Sequence, residues 1–358
     1  MGRRRLDPGR QPRDGERRAA AWLRPVQDVS DLRQAAVRAF VTGGTGFVGA
    51  HLVRALVARG DEVTCLVRTP TKAQALGWRG VRIVRGDLDD ARALREGAAG
   101  AEVVYHVAGR ISARTAEEFM AANRDGTANL LEAAADAPPR RFVLVSSLAA
   151  AGPTTRGHPV DERRPPAPVS DYGRSKLAAE VLVRAMRFPW TIVRPPIVYG
   201  EWDHGVLTAF KLVRVGVVPR FGDGSQELSV IYAGDLAEAL IAAGSTPATA
   251  NRIYFAAHPV ATSSTDLIQA IGRALGKTPR LLHIPGPVAR AILWTIGSAA
   301  RLTGRSTILS ADKAEDFLAA AWTCRADALE RDTGWRARVD LETGLRRTAE
   351  WYRTEGWL

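Results

Sequence analysis

Tyr172 and Lys176 lie four positions apart in Tyr172-Gly173-Arg174-Ser175-Lys176, a spacing that puts both on one face of a helix. An ammonium one turn from a phenol stabilises the phenolate, so the tyrosine pKa is expected to fall from ~10 toward the working range. Such a tyrosine exchanges a proton with a carbonyl or hydroxyl oxygen. Ser147, at the end of Arg141-Phe142-Val143-Leu144-Val145-Ser146-Ser147, adds a hydroxyl that can hold the same oxygen, because open α/β sheets place ligands at the carboxyl ends of their strands. The plainer alternatives are a chance pair on a helix surface and a strand end capped by hydroxyls.

A second group of residues points to a dinucleotide. Thr42-Gly43-Gly44-Thr45-Gly46-Phe47-Val48-Gly49 follows an apolar run and opens a helical pattern. Gly43 permits the tight turn, Gly46 lets backbone N–H groups approach a pyrophosphate, and Gly49 lets the helix pack closely; Thr45, Phe47 and Val48 belong to the same cofactor-binding turn. Arg68 ends the second strand where an enzyme selective for NAD usually places an acid, and Lys72 adds a second cation, so NADP(H) is preferred and NAD(H) remains open. The alternative for Arg68 is stacking on adenine with either cofactor. Asp87, followed by Leu88, either accepts from the adenine amino group or caps the next helix.

These residues need a scaffold of alternating elements, and the sequence from Ala39 supplies one. Short β-branched runs (AFVTG, EVTCLVR, VRIVRGDL, EVVYHVAG, RFVLVSS, WTIVRPPIVYG) are separated by longer helical stretches. Strands joined by helices of that length give right-handed crossovers and a parallel sheet covered on both faces, a doubly wound α/β fold. Three regions are expected: an Arg-rich tail over 1–36, a dinucleotide-binding region with the catalytic residues over 37–200, and a smaller, mostly helical substrate-binding region over 201–358, with some segments returning to the sheet. Helices are expected near Ser264–Gly276, Val288–Leu302 and Ala311–Ala321, and a Gly-rich bend at Phe221-Gly222-Asp223-Gly224. Val288–Leu302 reads as a core or pocket-wall helix, with an interfacial membrane helix as the alternative. The tail reads as disordered, or as sequence outside the native coding frame with Val37 as an alternative start.

Composition narrows the function classes. The 358 residues are 46% hydrophobic and 25% charged, enough apolar surface for a folded chain of more than one core. The formal charge of +12 is mostly arginine interleaved with acids, and no helix-turn-helix, RRM or zinc pattern accompanies it, so no nucleic-acid partner is expected. Cys65 and Cys324 have neither disulfide-scaffold nor metal-like spacing and fit a reducing compartment; a soluble, cytoplasmic protein is expected, since no apolar run reaches the ~20 residues of a membrane span.

Taken in order, TGGTGFVG, Arg68, Gly86-Asp87-Leu88, Tyr105-His106-Val107-Ala108, Asn123 before Gly126-Thr127, Ser147, YGRSK and Arg194-Pro195-Pro196-Ile197 resemble the extended short-chain dehydrogenase/reductases, over roughly Val37 to Leu358. The resemblance implies a catalytic Ser147, Tyr172 and Lys176, with Lys176 also holding the nicotinamide ribose and Asn123 supporting the site. It implies that Ala108 and Gly109 line the cofactor, that the backbone from Pro195 to Ile197 meets the carboxamide, and that Tyr105 and His106 serve packing. It also makes a homodimer an open expectation. Dehydratases of this family follow the catalytic hydroxyl residue with an Asp-Glu pair; here Leu148 and Ala149 follow Ser147. Nucleotide-sugar epimerases often read GDGxQxRDFIYVDD, with an arginine on the diphosphate; this chain reads Gly222-Asp223-Gly224-Ser225-Gln226-Glu227-Leu228, so a diphosphate would lose its guanidinium partner and face Glu227, although Arg220 or another arginine can substitute. What remains is similar to the dihydroflavonol-reductase and 3β-hydroxysteroid-dehydrogenase-like group: an NADP(H)-dependent oxidoreductase of bulky, weakly charged ketones, aldehydes or alcohols. The alternatives are a sugar or nucleotide-sugar epimerase with tightly held cofactor, and a cofactor-binding protein without turnover.

Overall fold

The computed structural model describes residues 36–221, 224–302, 316 and 319–358. The Arg-rich opening segment, the centre of the Gly222-Asp223 bend and most of the helix expected over 311–321 lie outside the described residues. The first part of the chain runs β1 (Arg38–Thr42), α1 (Phe47–Arg59), β2 (Glu62–Val67), α2 (Pro70–Ala75), β3 (Arg82–Arg85), α3 (Ala91–Ala98), β4 (Val103–His106), α4 (Ala116–Met120), α5 (Gly126–Asp136), β5 (Arg141–Val145), α6 (Leu148–Ala151), α7 (Asp171–Arg184) and β6 (Trp190–Arg194). There follow β7 (Ile197–Tyr199), α8 (Leu207–Val215), β8 (Val217–Phe221), β9 (Glu227–Leu228), β10 (Val230–Tyr232), α9 (Ala233–Ser245) and β11 (Arg252–Phe255). The last elements are β12 (Thr262–Ser263), α10 (Ser264–Leu275), β13 (Arg280–Ile284), α11 (Gly286–Leu302), β14 (Ala321–Trp322), α12 (Asp327–Thr333) and α13 (Leu341–Thr354).

Seven strands form one parallel sheet in the order β11-β6-β5-β4-β1-β2-β3. Successive side chains of a strand point to opposite faces, and both faces are covered here. Val41, Cys65, Tyr105, Val143 and Val193 pack against Leu52 and Leu56 of α1 and Leu236 and Leu240 of α9. Phe40, Leu66, Val104, Phe142 and Ile192 pack against Leu94 of α3, Leu130 of α5 and Val183 of α7. Burial on both sides explains why these strands are near-continuous apolar runs. The order reverses between β1 and β4, which opens a crevice above their carboxyl ends.

The segment Trp190–Gly200 differs from the single strand expected. Pro195 and Pro196 lack the N–H donors a sheet ladder needs, so β6 ends at Arg194 and β7 leaves the large sheet to pair with β10. A separate apolar cluster beyond this break unites Tyr199, Phe210, Tyr232, Ile271, Leu345 and Tyr352. The two-stranded β8–β13 sheet lies beside it.

The helix at Val288–Leu302 is present as part of α11, but its described side chains are not buried as those of a core helix would be. Val288, Ile292, Trp294 and Ile296 are exposed, and no α11 residue joins an apolar cluster among the described residues. The preceding strand β13 pairs with β8 alone, which carries α11 to the periphery of the fold.

Candidate cofactor and catalytic site

The turn between β1 and α1 is shaped by close backbone approach. Gly43 has φ +74°, and a Cβ there would stand 2.5 Å from the Ala108 nitrogen. A Cβ on Gly49 would stand 2.1 Å from the Gly43 carbonyl oxygen, so α1 can begin this close to the turn only without a side chain. Gly46 caps α1 with no side-chain acceptor on its first N–H groups, and the first turn, Phe47-Val48-Gly49, carries no acid. With Thr45 half-buried in the same turn, the helix N-terminus fits a pyrophosphate: it offers unsatisfied donors and the positive end of the helix dipole.

The other candidate residues lie at the carboxyl ends of successive strands. Arg68 follows β2 and Lys72 lies on α2; both are exposed, and neither holds an ion pair among the described residues. Asp87 follows β3, exposed, and its Oδ1 accepts from the Asp89 N–H at 3.0 Å. Asp90 caps α3, accepting from the Ala93 N–H at 3.0 Å, which corrects the capping alternative for Asp87. The Leu88 carbonyl is held by Asn129 Nδ2 at 2.9 Å.

Ala108 and Gly109 follow β4 and are fixed by Asn123. This buried side chain accepts from the Arg110 N–H at 2.7 Å and donates to the Arg110 carbonyl at 3.0 Å and to Ser175 Oγ at 2.9 Å. Ser175 Oγ in turn donates to the Tyr172 carbonyl at 2.8 Å. Asn123 lies in a single π-helical turn, Ala121–Asp125, between α4 and α5, which re-aims its side chain toward α7. His106, at the end of β4, is buried between Thr42 Oγ1 (2.7 Å) and Thr127 Oγ1 (2.9 Å). Burial first, then the Lys176 charge, pushes its pKa down to about 3, so it is neutral and holds the strand ends together.

Ser147 is the N-cap of α6, its Oγ accepting from the Ala149 N–H at 3.1 Å, and its side chain also hydrogen-bonds the Tyr172 side chain. Lys176 is 6% exposed and donates from Nζ to the Val145 carbonyl at 2.6 Å. A Cβ on Gly109 would lie 3.5 Å from that Nζ, so the amine stands between the β4 and β5 ends. The Pro195 carbonyl receives the Leu148 N–H at 2.8 Å, which brings the Pro195–Ile197 backbone alongside Ser147. Ser147, Tyr172, Lys176, Asn123 and Gly109 thus converge at the crevice beside the β1–α1 turn.

Electrostatics correct one expectation. Burial pushes the Tyr172 phenol above its usual value; the Ser147 hydrogen bond pulls the other way and the Asp316 charge adds to the rise. Lys176 is itself lowered to about 8 by burial, with Glu180 opposing, because desolvation penalises the charged form of each group.

Two residues that sequence reasoning left without a role complete the framework. Glu180 is fully buried one turn beyond Lys176 and receives Arg194 through Nε at 2.8 Å and Nη2 at 2.6 Å. Ser146 Oγ donates to Glu180 Oε1 at 2.5 Å. This fork ties α7 to the ends of β5 and β6 and sets the height of Tyr172 and Lys176 over the sheet. The continuing four-residue spacing Tyr172, Lys176, Glu180 was the available signal.

Comparison with known proteins agrees with this geometry. The model of the NAD dependent epimerase/dehydratase family matches residues 39–257. The chain belongs to that family. This family member is an NAD(P)-dependent oxidoreductase of the extended short-chain dehydrogenase/reductase type. It is 35% identical over 321 residues to a ceramide reductase of Caulobacter vibrioides, covering 89% of this chain and 95% of that one. It is 30% identical over 336 residues to a 4-hydroxy-2-methyl-3-oxo-4-farnesyl-3,4-dihydroquinoline-1-oxide ketoreductase of Stigmatella aurantiaca, covering 86% and 95%. A UDP-glucose 4-epimerase structure from Thermotoga maritima shares the fold, with TM-score 0.72, 22% identity and coverage of 88% and 99%. No helix among the described residues is long and apolar enough to cross a membrane.

Proposed function

We propose that this enzyme is an NADP(H)-dependent carbonyl reductase that interconverts a bulky, weakly charged ketone or aldehyde and its alcohol. The observation that carries the reading is the linked Ser147 and Tyr172 side chains beside Lys176, at the carboxyl edge of a sheet whose first turn fits a pyrophosphate. We assign cofactor binding and catalysis to 37–200 and substrate binding mainly to 201–358. The names of the two relatives above, reductases of a ceramide and of a farnesylated ketone, support a large apolar substrate. Ser147 is followed by buried Leu148 and then Ala149, with no acid to drive elimination, and the Glu227 carboxylate is engaged by the Gly157 N–H at 2.8 Å.

A nicotinamide bound in the crevice supplies or accepts the hydride. Tyr172 gives its hydroxyl proton to the carbonyl oxygen as carbon is reduced, and takes it back in the reverse direction. Ser147 donates to the same oxygen, stabilising the charge that builds there. Lys176 would hold the ribose and keep a positive charge one turn from Tyr172. Asn123 keeps the Gly109 loop and the Tyr172 turn in register. The test is a screen of long-chain and polycyclic ketones with NADPH and with NADH, the alcohol product identified by mass spectrometry. Consumption confined to small sugars would reject the substrate class.

Two predictions follow from single residues. Replacing Arg68 by serine removes the cation proposed to meet the 2′-phosphate, so the Kd for NADPH should rise about ten- to a hundredfold while that for NADH stays level, since a hydrogen bond to a charged group contributes about 1.5–3 kcal/mol. An equal change for both cofactors would assign Arg68 to adenine stacking. Because Lys176 is lowered to about 8 and acts as the ammonium, kcat/KM for reduction should fall as pH rises through about 8. A profile flat to pH ~10, the ordinary lysine range, would contradict it.

One observation favours a second reading. Arg220 Nε is buried without a hydrogen-bond partner among the described residues, a donor suited to the diphosphate of a nucleotide sugar. An epimerase would hold NAD tightly and show no net cofactor turnover.

A further inference from the structure

We propose that α11 and the adjoining edge of the β8–β13 sheet form a docking surface for an anionic lipid membrane. The proposal is independent of the substrate reading. Along Gly286–Leu302 the only charged residues are Arg290 and Arg301; a helix so apolar is ordinarily buried. Here Trp294 is 63% exposed, and Val288, Ile292 and Ile296 also face outward. Leu282 on β13, the strand that leads into α11, and Val217 on its partner β8 are exposed as well.

Helical spacing places these groups on two sides of the helix. Val288, Ile292 and Ile296 recur every four residues along one side, while Trp294 lies one turn from exposed Arg290 on another. An indole beside a guanidinium is at home at headgroup depth, where ring and side-chain stem meet acyl chains and the charge meets phosphate. The helix is too short and too charged to span, and no described helix passes as a crossing segment.

Charge selects the occupant. No Asp or Glu occurs over residues 267–311, whereas Lys277, Arg280, Arg290, Arg301 and Arg305 do. Arg273 in the same stretch is already met by Glu342 of α13. Exposed Lys277 and Arg280 therefore border the apolar surface with no carboxylate interleaved from their own segment. That pattern is complementary to phosphate headgroups, whose attraction adds to apolar insertion.

The test is co-sedimentation of the full chain with vesicles of phosphatidylcholine alone and of phosphatidylcholine mixed with phosphatidylglycerol, at low and high salt. The expected result is partitioning onto the mixed vesicles, weakened by salt, and lowered about tenfold or more by Trp294→Glu. An unchanged thermal midpoint in Trp294→Glu would show that the exposed site was altered without unfolding; Lys277→Ala/Arg280→Ala offers a second variant that spares the helix. No binding to the mixed vesicles, or equal binding by the variants, overturns the proposal. A dimer that Trp294→Glu dissociates, with no vesicle binding, would assign the surface to a second copy of the chain.

Discussion

Replacing Tyr172 by phenylalanine is expected to lower kcat for carbonyl reduction by at least ~10²- to 10⁴-fold, the range for a positioned general acid, while leaving NADPH affinity unchanged. The phenol reaches the site edge from the first turn of α7, whose cap is Ser170, its Oγ accepting from the Gly173 N–H at 3.3 Å, and phenylalanine keeps the ring that lies 6.0 Å from Phe119. The substitution therefore removes one hydroxyl and its hydrogen bond to Ser147 without opening a cavity. Steady-state assays with fluorescence titration of NADPH separate the two effects. A loss of cofactor affinity equal to the loss of rate would show that Tyr172 acts in binding and not in proton transfer.

The largest effect on stability is expected at Arg194. Substituting methionine leaves Glu180 as an unpaired carboxylate in a fully buried position, and breaking such a pair costs about 3–5 kcal/mol. Replacing both partners with apolar residues, Glu180→Leu/Arg194→Met, removes the stranded charge and should recover most of that loss. Denaturant midpoints of the single and double variants measure this. Because the fork also sets the height of α7 over β5, the double variant should still show reduced kcat even where stability returns. A single variant within about 0.5 kcal/mol of the parent, the usual effect of surface changes, would contradict the structural role.

The comparison of sequence with structure divides along the range of the signals. Tyr172 and Lys176 share a helix face by local spacing, and the glycines of the β1–α1 turn announce themselves between a strand and a helix; both were readable residue by residue. Arg194 and Glu180 meet across 14 positions of chain, and their pairing depends on α7 lying over the end of β6, which no local pattern encodes. The direction of the Tyr172 pKa depends on burial as well as on its neighbouring lysine, and only the packed structure reveals that the phenol is pushed up. The break at Pro195-Pro196 was present in the letters, yet apolar residues on both sides read as one strand. For α11 the apolar content was legible and its environment was not, since periodicity does not distinguish a helix facing a core from one facing outward.

The central claim is net hydride transfer from a reduced nicotinamide to a substrate carbonyl. Its most direct test is turnover with NADPH carrying deuterium at nicotinamide C4 on the transferred side, followed by mass spectrometry of the alcohol and quantification of oxidised cofactor. The account predicts deuterium at the carbinol carbon and one oxidised cofactor per product. Unlabelled product, with NAD released only on denaturation and no accumulation of oxidised cofactor, would contradict it and establish an epimerase.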